Sequence, residues 1–280
     1  MRKRTSMAIL PLVMSLLVFG CGDDDNNLGL AGGEEYYVIG SIELYPSVHF
    51  YASIYPVYGQ GCDIDSVYFA DSACGIYQGT SFSVYGMEYR YYAEYRNESD
   101  STRFRSGDTA SVRFCDDNQS VTVEFPVLLY YEDTMVYLSP EQLDTVRRAE
   151  TFELVWSSVP DAEWYGLLVY FVHDSSGQIT YESWYVATMD TSIIFDGNNH
   201  RQDGLLSIAG IAVVGPFPDS PPNLSGLKIV GCIYSRSAGA YLNVVVGEGL
   251  SWATASPAVA DIAVRDSLID RMVEDLYGFK

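Results

Sequence analysis

The chain has 280 residues, 48% of them hydrophobic, and carries 37 acidic against 16 basic side chains for a net charge of −21. That apolar fraction supplies buried cores and excludes a disordered chain, and the length suits two domains of ordinary size. An acidic surface of this strength repels phosphate backbones and anionic headgroups, which excludes nucleic-acid binding and leaves cations and cationic partners open.

Arg2, Lys3 and Arg4 precede an apolar run from Met7 to Phe19 that is broken only by Pro11 and Ser15. A basic start and a run of about 13 apolar residues make a secretory leader, too short for a spanning helix of roughly 20. No other stretch approaches that length, so the mature chain is expected to have no transmembrane helix. Where the run ends, Val18-Phe19-Gly20-Cys21 resembles the lipobox of bacterial lipoproteins. The resemblance implies that residues 1–20 are a lipoprotein signal peptide, that signal peptidase reads Val18, Phe19 and Gly20, and that acyl chains such as palmitate are attached at Cys21. It makes the membrane a partner through that lipid and places the protein in the cell envelope, on the outer membrane, facing the periplasm or the surface. Gly22 fits this address, since Asp in that position often marks retention in the inner membrane. With the leader go Arg2, Lys3 and Arg4 and no acidic residue, so the net charge moves from −21 to −24. Residues 21–34, with Asp23-Asp24-Asp25 and several glycines, read as an acidic flexible tether. The acidic run is similar to the surface-export signal of some lipoproteins and equally to a solvated spacer.

From Glu35 the apolar period is two. Val48, Phe50, Ala52 and Ile54 alternate with His49, Tyr51, Ser53 and Tyr55, the pattern of a half-buried strand. Further strands are expected at 66–70, 81–85, 88–95, 109–114 and 121–125, separated by turn clusters such as Arg105-Ser106-Gly107-Asp108. Short strands at this spacing predict a β-sandwich over 35–126. Ser106-Gly107-Asp108-Thr109, followed by alternating Ser111, Val112, Arg113 and Phe114, resembles the late strands of immunoglobulin-like bacterial modules. With Cys21 given to lipid, Cys62, Cys74, Cys115 and Cys232 remain. An exported chain can oxidise them. A Cys62–Cys74 disulfide would staple neighbouring strands, Cys115 is the alternative partner, and spacing alone leaves the pairing open.

Phe152 to Trp156, then Ser157-Ser158-Val159-Pro160 and Trp164-Tyr165, is similar to the B-strand, turn and C-strand of bacterial fibronectin type III domains, with Trp156 as core tryptophan and Tyr165 as strand-C tyrosine. The resemblance implies a second sandwich over 127–248, with Tyr165, Leu167, Val169 and Phe171 on one strand face and further strands at 180–187, 191–195, 205–214 and 241–246. Residues 215–239, with Pro216, Pro218, Pro221 and Pro222, are expected to form a long loop between the last two strands. The fold class is therefore all-β, two immunoglobulin-like/fibronectin III-like sandwiches, closed by an amphipathic helix over 249–280. That helix starts at Ser256-Pro257, carries Val259, Ile262, Ile269, Met272, Val273 and Leu276 on one stripe, and either packs on its own domain or engages a partner.

Little in the chain points to catalysis. The three histidines, His49, His173 and His200, are far apart in sequence, and neither a GxSxG elbow nor an HExxH helix occurs. No Cys or His spacing fits zinc, Asp63-Ile64-Asp65 lacks the spacing of a calcium loop, and no cofactor is expected. The expected ligand surface is aromatic. Trp164 and Tyr170 fall opposite the core face of their strand, and Trp184 on the next strand is expected to join them in contacting sugar or protein, unless the proline loop or the C-terminal helix covers them. The expectation is a lipid-anchored, non-catalytic binding or assembly module for an envelope protein or glycan. The alternatives are a glycan-binding accessory of polysaccharide uptake and an envelope hydrolase.

Overall fold

A computed structural model describes residues 36–44, 48–56, 64–83, 86–97, 104–116, 119–175, 178–218 and 220–247. The leader, the lipobox residues Val18, Phe19, Gly20 and Cys21, the tether, Cys62 and the C-terminal segment 249–280 lie outside the described residues. Within them no helix is long and apolar enough to cross a membrane.

The first half contributes β1 (Tyr36–Leu44), β2 (Val48–Pro56), β3 (Ser66–Phe69), β4 (Ser72–Ala73), β5 (Gly75–Ser83), β6 (Gly86–Asn97), β7 (Thr109–Asp116) and β8 (Gln119–Pro126). The second adds β9 (Tyr137–Ser139), β10 (Thr145–Val146), β11 (Phe152–Trp156), β12 (Trp164–Ser175), β13 (Gln178–Thr188), β14 (Ser192–Phe195), β15 (Gly204–Val214), β16 (Leu224–Gly226), β17 (Ile229–Arg236) and β18 (Ala240–Val246). The architecture is all-β, as expected.

In the first half, β1, β2, β6 and β5 form one layer and β4-β3-β7-β8 the facing one. Alternation buries Val48, Phe50, Ala52 and Ile54 of β2 against Phe69, Val112 and Phe114 of the second layer, with Phe50 stacked on Phe69 at 5.7 Å between ring centres. In the second half, β12, β13, β15 and β18 cover the small sheet β14-β11-β9. Tyr165, Leu167, Val169 and Phe171 point into this second core, as their spacing predicts, together with Leu154, Trp156 and Phe195. The Trp156 and Tyr165 rings meet edge to face at 5.5 Å, and the Tyr165 hydroxyl accepts a hydrogen bond from the Val159 backbone N–H at 2.9 Å, which closes the Val-Pro turn between their strands.

Residues 215–239 are not the long loop expected. The prolines occupy only the first part. From Leu224 the chain forms the hairpin β16–β17, turning through Gly226, Leu227 and Lys228, all at positive φ. Strand β17 then leaves its own sandwich and runs parallel to β1, with Tyr36 opposite Ile229 and Ile42 opposite Ser235. Its Ile229 and Ile233 fill the first core, and it keeps only Val213–Arg236 and Val214–Ser235 with β15. The connection between the halves is pinned as well. Leu128 N–H donates to the Ser235 hydroxyl at 3.0 Å and Tyr130 N–H to the Leu44 carbonyl at 3.0 Å.

The shared strand makes one 11-stranded sheet that folds so that the outer faces of both halves meet. Ile39, Cys232 and Tyr234 on one side and Trp164, Leu168, Ala209, Ile211 and Val213 on the other form a third apolar layer. Behind it sits Arg236, 1% exposed, whose guanidinium donates to the Glu43 carboxylate at 2.6 Å and lies 5.3 Å from the centre of the Tyr130 ring.

Candidate functional site

The three aromatics expected to form one exposed face are not brought together. Trp164 is fully buried in the third layer, where Phe217 of the proline segment meets it edge to face at 6.0 Å, and Tyr170 packs half-buried against the same layer. Trp184 stands directly opposite Val169, so the pleat turns it to the other side of the sheet, against the second core and 6.4 Å from Phe195. Strand alternation separates the two faces of β12 but does not say that β1 and β17 of the same folded sheet lie over the outer one.

The histidines are likewise apart and engaged. His49 meets Glu94 at 3.1 Å and His173 meets Glu182 at 3.3 Å while stacking on Phe171. His200, buried, reaches the Glu150 carbonyl at 2.8 Å and packs against Phe152. Desolvation holds its pKa below the usual histidine value. Among the described residues no three His, Cys, Asp or Glu side chains gather as metal ligands.

Cys74, Cys115 and Cys232 are free thiols among the described residues. Cys74 follows β4 and donates its N–H to Val67, so it packs on the core face, whereas Cys115 pairs with Ser66 and alternates with the buried Val112 and Phe114 to point the other way. The two therefore sit on opposite faces of the sheet, which removes Cys115 as a partner for Cys74. Burial pushes the Cys74 thiol up to about 12 and the Cys232 thiol up to about 11, so both stay protonated and poorly nucleophilic near neutral pH.

An aromatic surface does exist, on the outer face of the first half. Tyr77 stands opposite Tyr92, Tyr92 opposite Ser53, and Tyr51 opposite Glu94. This brings Tyr51 and Tyr92 to 5.3 Å between ring centres on the diagonal, a close cross-strand aromatic pair. Tyr77 is 58% exposed, and its ring lies back over Gly75, where an added Cβ would come within 2.5 Å of the phenol oxygen. The absence of a side chain at Gly75 is what lets the ring lie flat along the strand. His49 and Glu94, both part-exposed, border the tyrosines with hydrogen-bonding groups. The odd positions of β2 announce half of this surface in the sequence. Tyr77 and Tyr92 join it only through strand register, which no sequence pattern reveals.

No family model matches the chain, and no curated protein is similar to it in sequence. Among solved structures it is similar to the chicken CNTN1 FN1–FN3 domains, at 10% identity and a TM-score of 0.25. The match covers 76% of this chain and 64% of that one, less than two thirds of its length. With a TM-score that low, the sandwich fold of this chain rests on its own sheets.

Proposed function

We propose that the protein is a lipid-anchored, non-catalytic binding or assembly module of the cell envelope, and that its contact surface is the Tyr51–Tyr92–Tyr77 face. The anchor rests on the lipobox-like Val18-Phe19-Gly20-Cys21 at the end of a leader. The observation that carries the binding role is Tyr77, a large ring left 58% exposed beside two further tyrosines and the His49–Glu94 pair. Exposed aromatics gathered on a rigid sheet supply contact area at low entropic cost. The glycan-binding reading draws on the same feature, because a ring lying flat along a strand, bordered by a carboxylate and an imidazole, offers a stacking plane with hydrogen-bonding groups at its edge.

Two experiments test the proposal. Metabolic labelling with a fatty-acid analogue should mark the wild type and not Cys21→Ala, and equal labelling of both would remove the anchor. Affinity electrophoresis of the soluble chain through polysaccharide gels, alongside crosslinking in intact cells, separates the ligands. A mobility shift abolished by Tyr77→Ala selects glycan, and a protein crosslink lost with Tyr77→Ala selects assembly. Wild-type behaviour of Tyr77→Ala in both assays would exclude this face as the contact surface.

A further inference from the structure

Two open faces of the molecule expose different chemistry. The outer side of the small sheet β14-β11-β9 shows aliphatic side chains, with Leu138 at 57% and Ile194 at 68% exposure. In the first half, among the described residues, the one large hydrophobic side chain that is strongly exposed is Tyr77. Around it the face is amphipathic, with the phenols of Tyr51 and Tyr92 and the His49–Glu94 pair at the border. Aliphatic side chains suit the apolar centre of a protein contact. Ring planes with hydroxyls and a carboxylate beside them suit a sugar, which has an apolar C–H face and a rim of hydroxyls.

The strand register adds a direction. Tyr51, Tyr92 and Tyr77 sit on three adjacent strands, β2, β6 and β5, as a stepped line across the sheet. Neighbouring strands are about 4.8 Å apart, close to the length one pyranose ring adds to an extended glycan. The Tyr51 and Tyr92 ring centres are 5.3 Å apart. Tyr77 lies back over Gly75, so one face of its ring meets the strand and the other meets solvent. Strand β5 ends the order of its sheet, so the line of rings runs out over an edge and a long chain can continue past it.

Charge selects among glycans. At the border Glu94 is balanced by Arg96, which stands in register with His49, and Glu43 is balanced by Arg236. No surplus of positive charge recruits an acid group, and the net charge of −21 repels one. His49 takes one oxygen of the Glu94 carboxylate at 3.1 Å and holds the group in place to accept from hydroxyls.

We propose, building on the reading of this face as the contact surface, that its ligand is a chain of uncharged pyranose sugars. The chain crosses the strands and stacks successive rings on Tyr51, Tyr92 and Tyr77, and Glu94 and His49 bond its hydroxyls.

Affinity electrophoresis of the leaderless chain tests this in gels carrying dextran, hydroxyethylcellulose or mannan, and in gels carrying polygalacturonate or alginate. Retardation is expected with at least one of the three neutral polymers and with neither acidic one, and added salt should leave it unchanged. Tyr77→Ala should weaken it roughly tenfold, whereas Tyr77→Phe and Tyr181→Ala, the latter removing an exposed tyrosine of β13, should behave as wild type. Retardation by the acidic polymers, or by none of the five, would overturn the inference. If none retards the protein while a crosslink to an envelope protein is lost with Tyr77→Ala, the face is a contact surface for protein and only the sugar assignment falls. Retardation that survives Tyr77→Ala removes the face itself.

Discussion

Strand β17 is the element that turns two sandwiches into one body, and Gly231 is its most sensitive position. A Cβ added there would lie 1.9 Å from the Val38 carbonyl oxygen and 2.7 Å from its carbon, on the neighbouring parallel strand β1. An ordinary carbon–oxygen contact is about 3.3 Å, so Gly231→Ala must push β17 and β1 apart by more than about 1 Å. The contact is backbone against backbone, and no side chain can rotate away. Losing two ladder hydrogen bonds costs about 2 kcal/mol, and overpacking adds about 1–3 kcal/mol, for a total of roughly 4 kcal/mol. At about 3 °C per kcal/mol for a chain of this size, the melting midpoint should fall by roughly 10 °C. Calorimetry of the leaderless chain is the assay. Because Ile229 and Ile233 belong to the first core while their strand is covalently part of the second half, the melt should remain a single transition that moves as a whole. Two separable transitions of which only one shifts, or a loss below about 0.5 kcal/mol, would refute the interlock.

Three further outcomes follow from the same geometry. Glu43→Ala leaves the buried Arg236 guanidinium without its 2.6 Å partner and should cost about 3 kcal/mol in urea unfolding, whereas replacing both as Glu43→Leu/Arg236→Met should cost far less. Gly75→Ala meets only the flexible end of Tyr77, so stability should change by less than about 0.5 kcal/mol while the ring swings off the strand and the binding proposed for the tyrosine face weakens. Acidification should destabilise the fold through His200. Its folded pKa lies below the unfolded value of about 6.5, so the unfolded chain takes up the proton first. Urea midpoints should therefore fall as pH drops below that value, and His200→Gln should flatten the slope.

How much was legible depended on whether a strand had two different faces. β2 carries one clear apolar face and is legible from spacing alone, as are the strands around 109–114 and 121–125, whereas β12 is apolar on both faces and is reached through the fibronectin type III resemblance. β17 escaped because it has no contrast. Ile229 and Ile233 face the first core while Cys232 and Tyr234 face the third layer, so both sides are apolar and buried. A strand of that kind gives no period-two signal, and Gly226, Gly231 and the nearby prolines imitate loop punctuation. The same cause makes Trp164 and Tyr170 look exposed in the sequence. Alternation correctly set Trp164 and Tyr170 opposite the second core, but their exposure depended on β1 and β17, strands remote in sequence. Trp184 was misassigned for want of a register, since its face is fixed only by standing opposite Val169.

The interlock bears on how an anchored protein of this kind would work. Were the halves independent sandwiches on a loose linker, a ligand on the first could leave the second free to swivel. Here the linker is held by Ser235 and Leu44, β17 is built into both halves, and Glu43 and Arg236 lock the junction. With lipid on Cys21, residues 21–34 would set the distance from the membrane, at most about 50 Å for a fully extended chain of that length. The described chain begins at Tyr36 in β1, a central strand of the large sheet. Ser53 and Tyr92, which stand in register with Ile39 only three residues into β1, lie at the same end of the sheet, and Tyr77 is next in that row. The exposed tyrosine would therefore be held on the tether-proximal part of a rigid body, within reach of whatever lies just above the membrane.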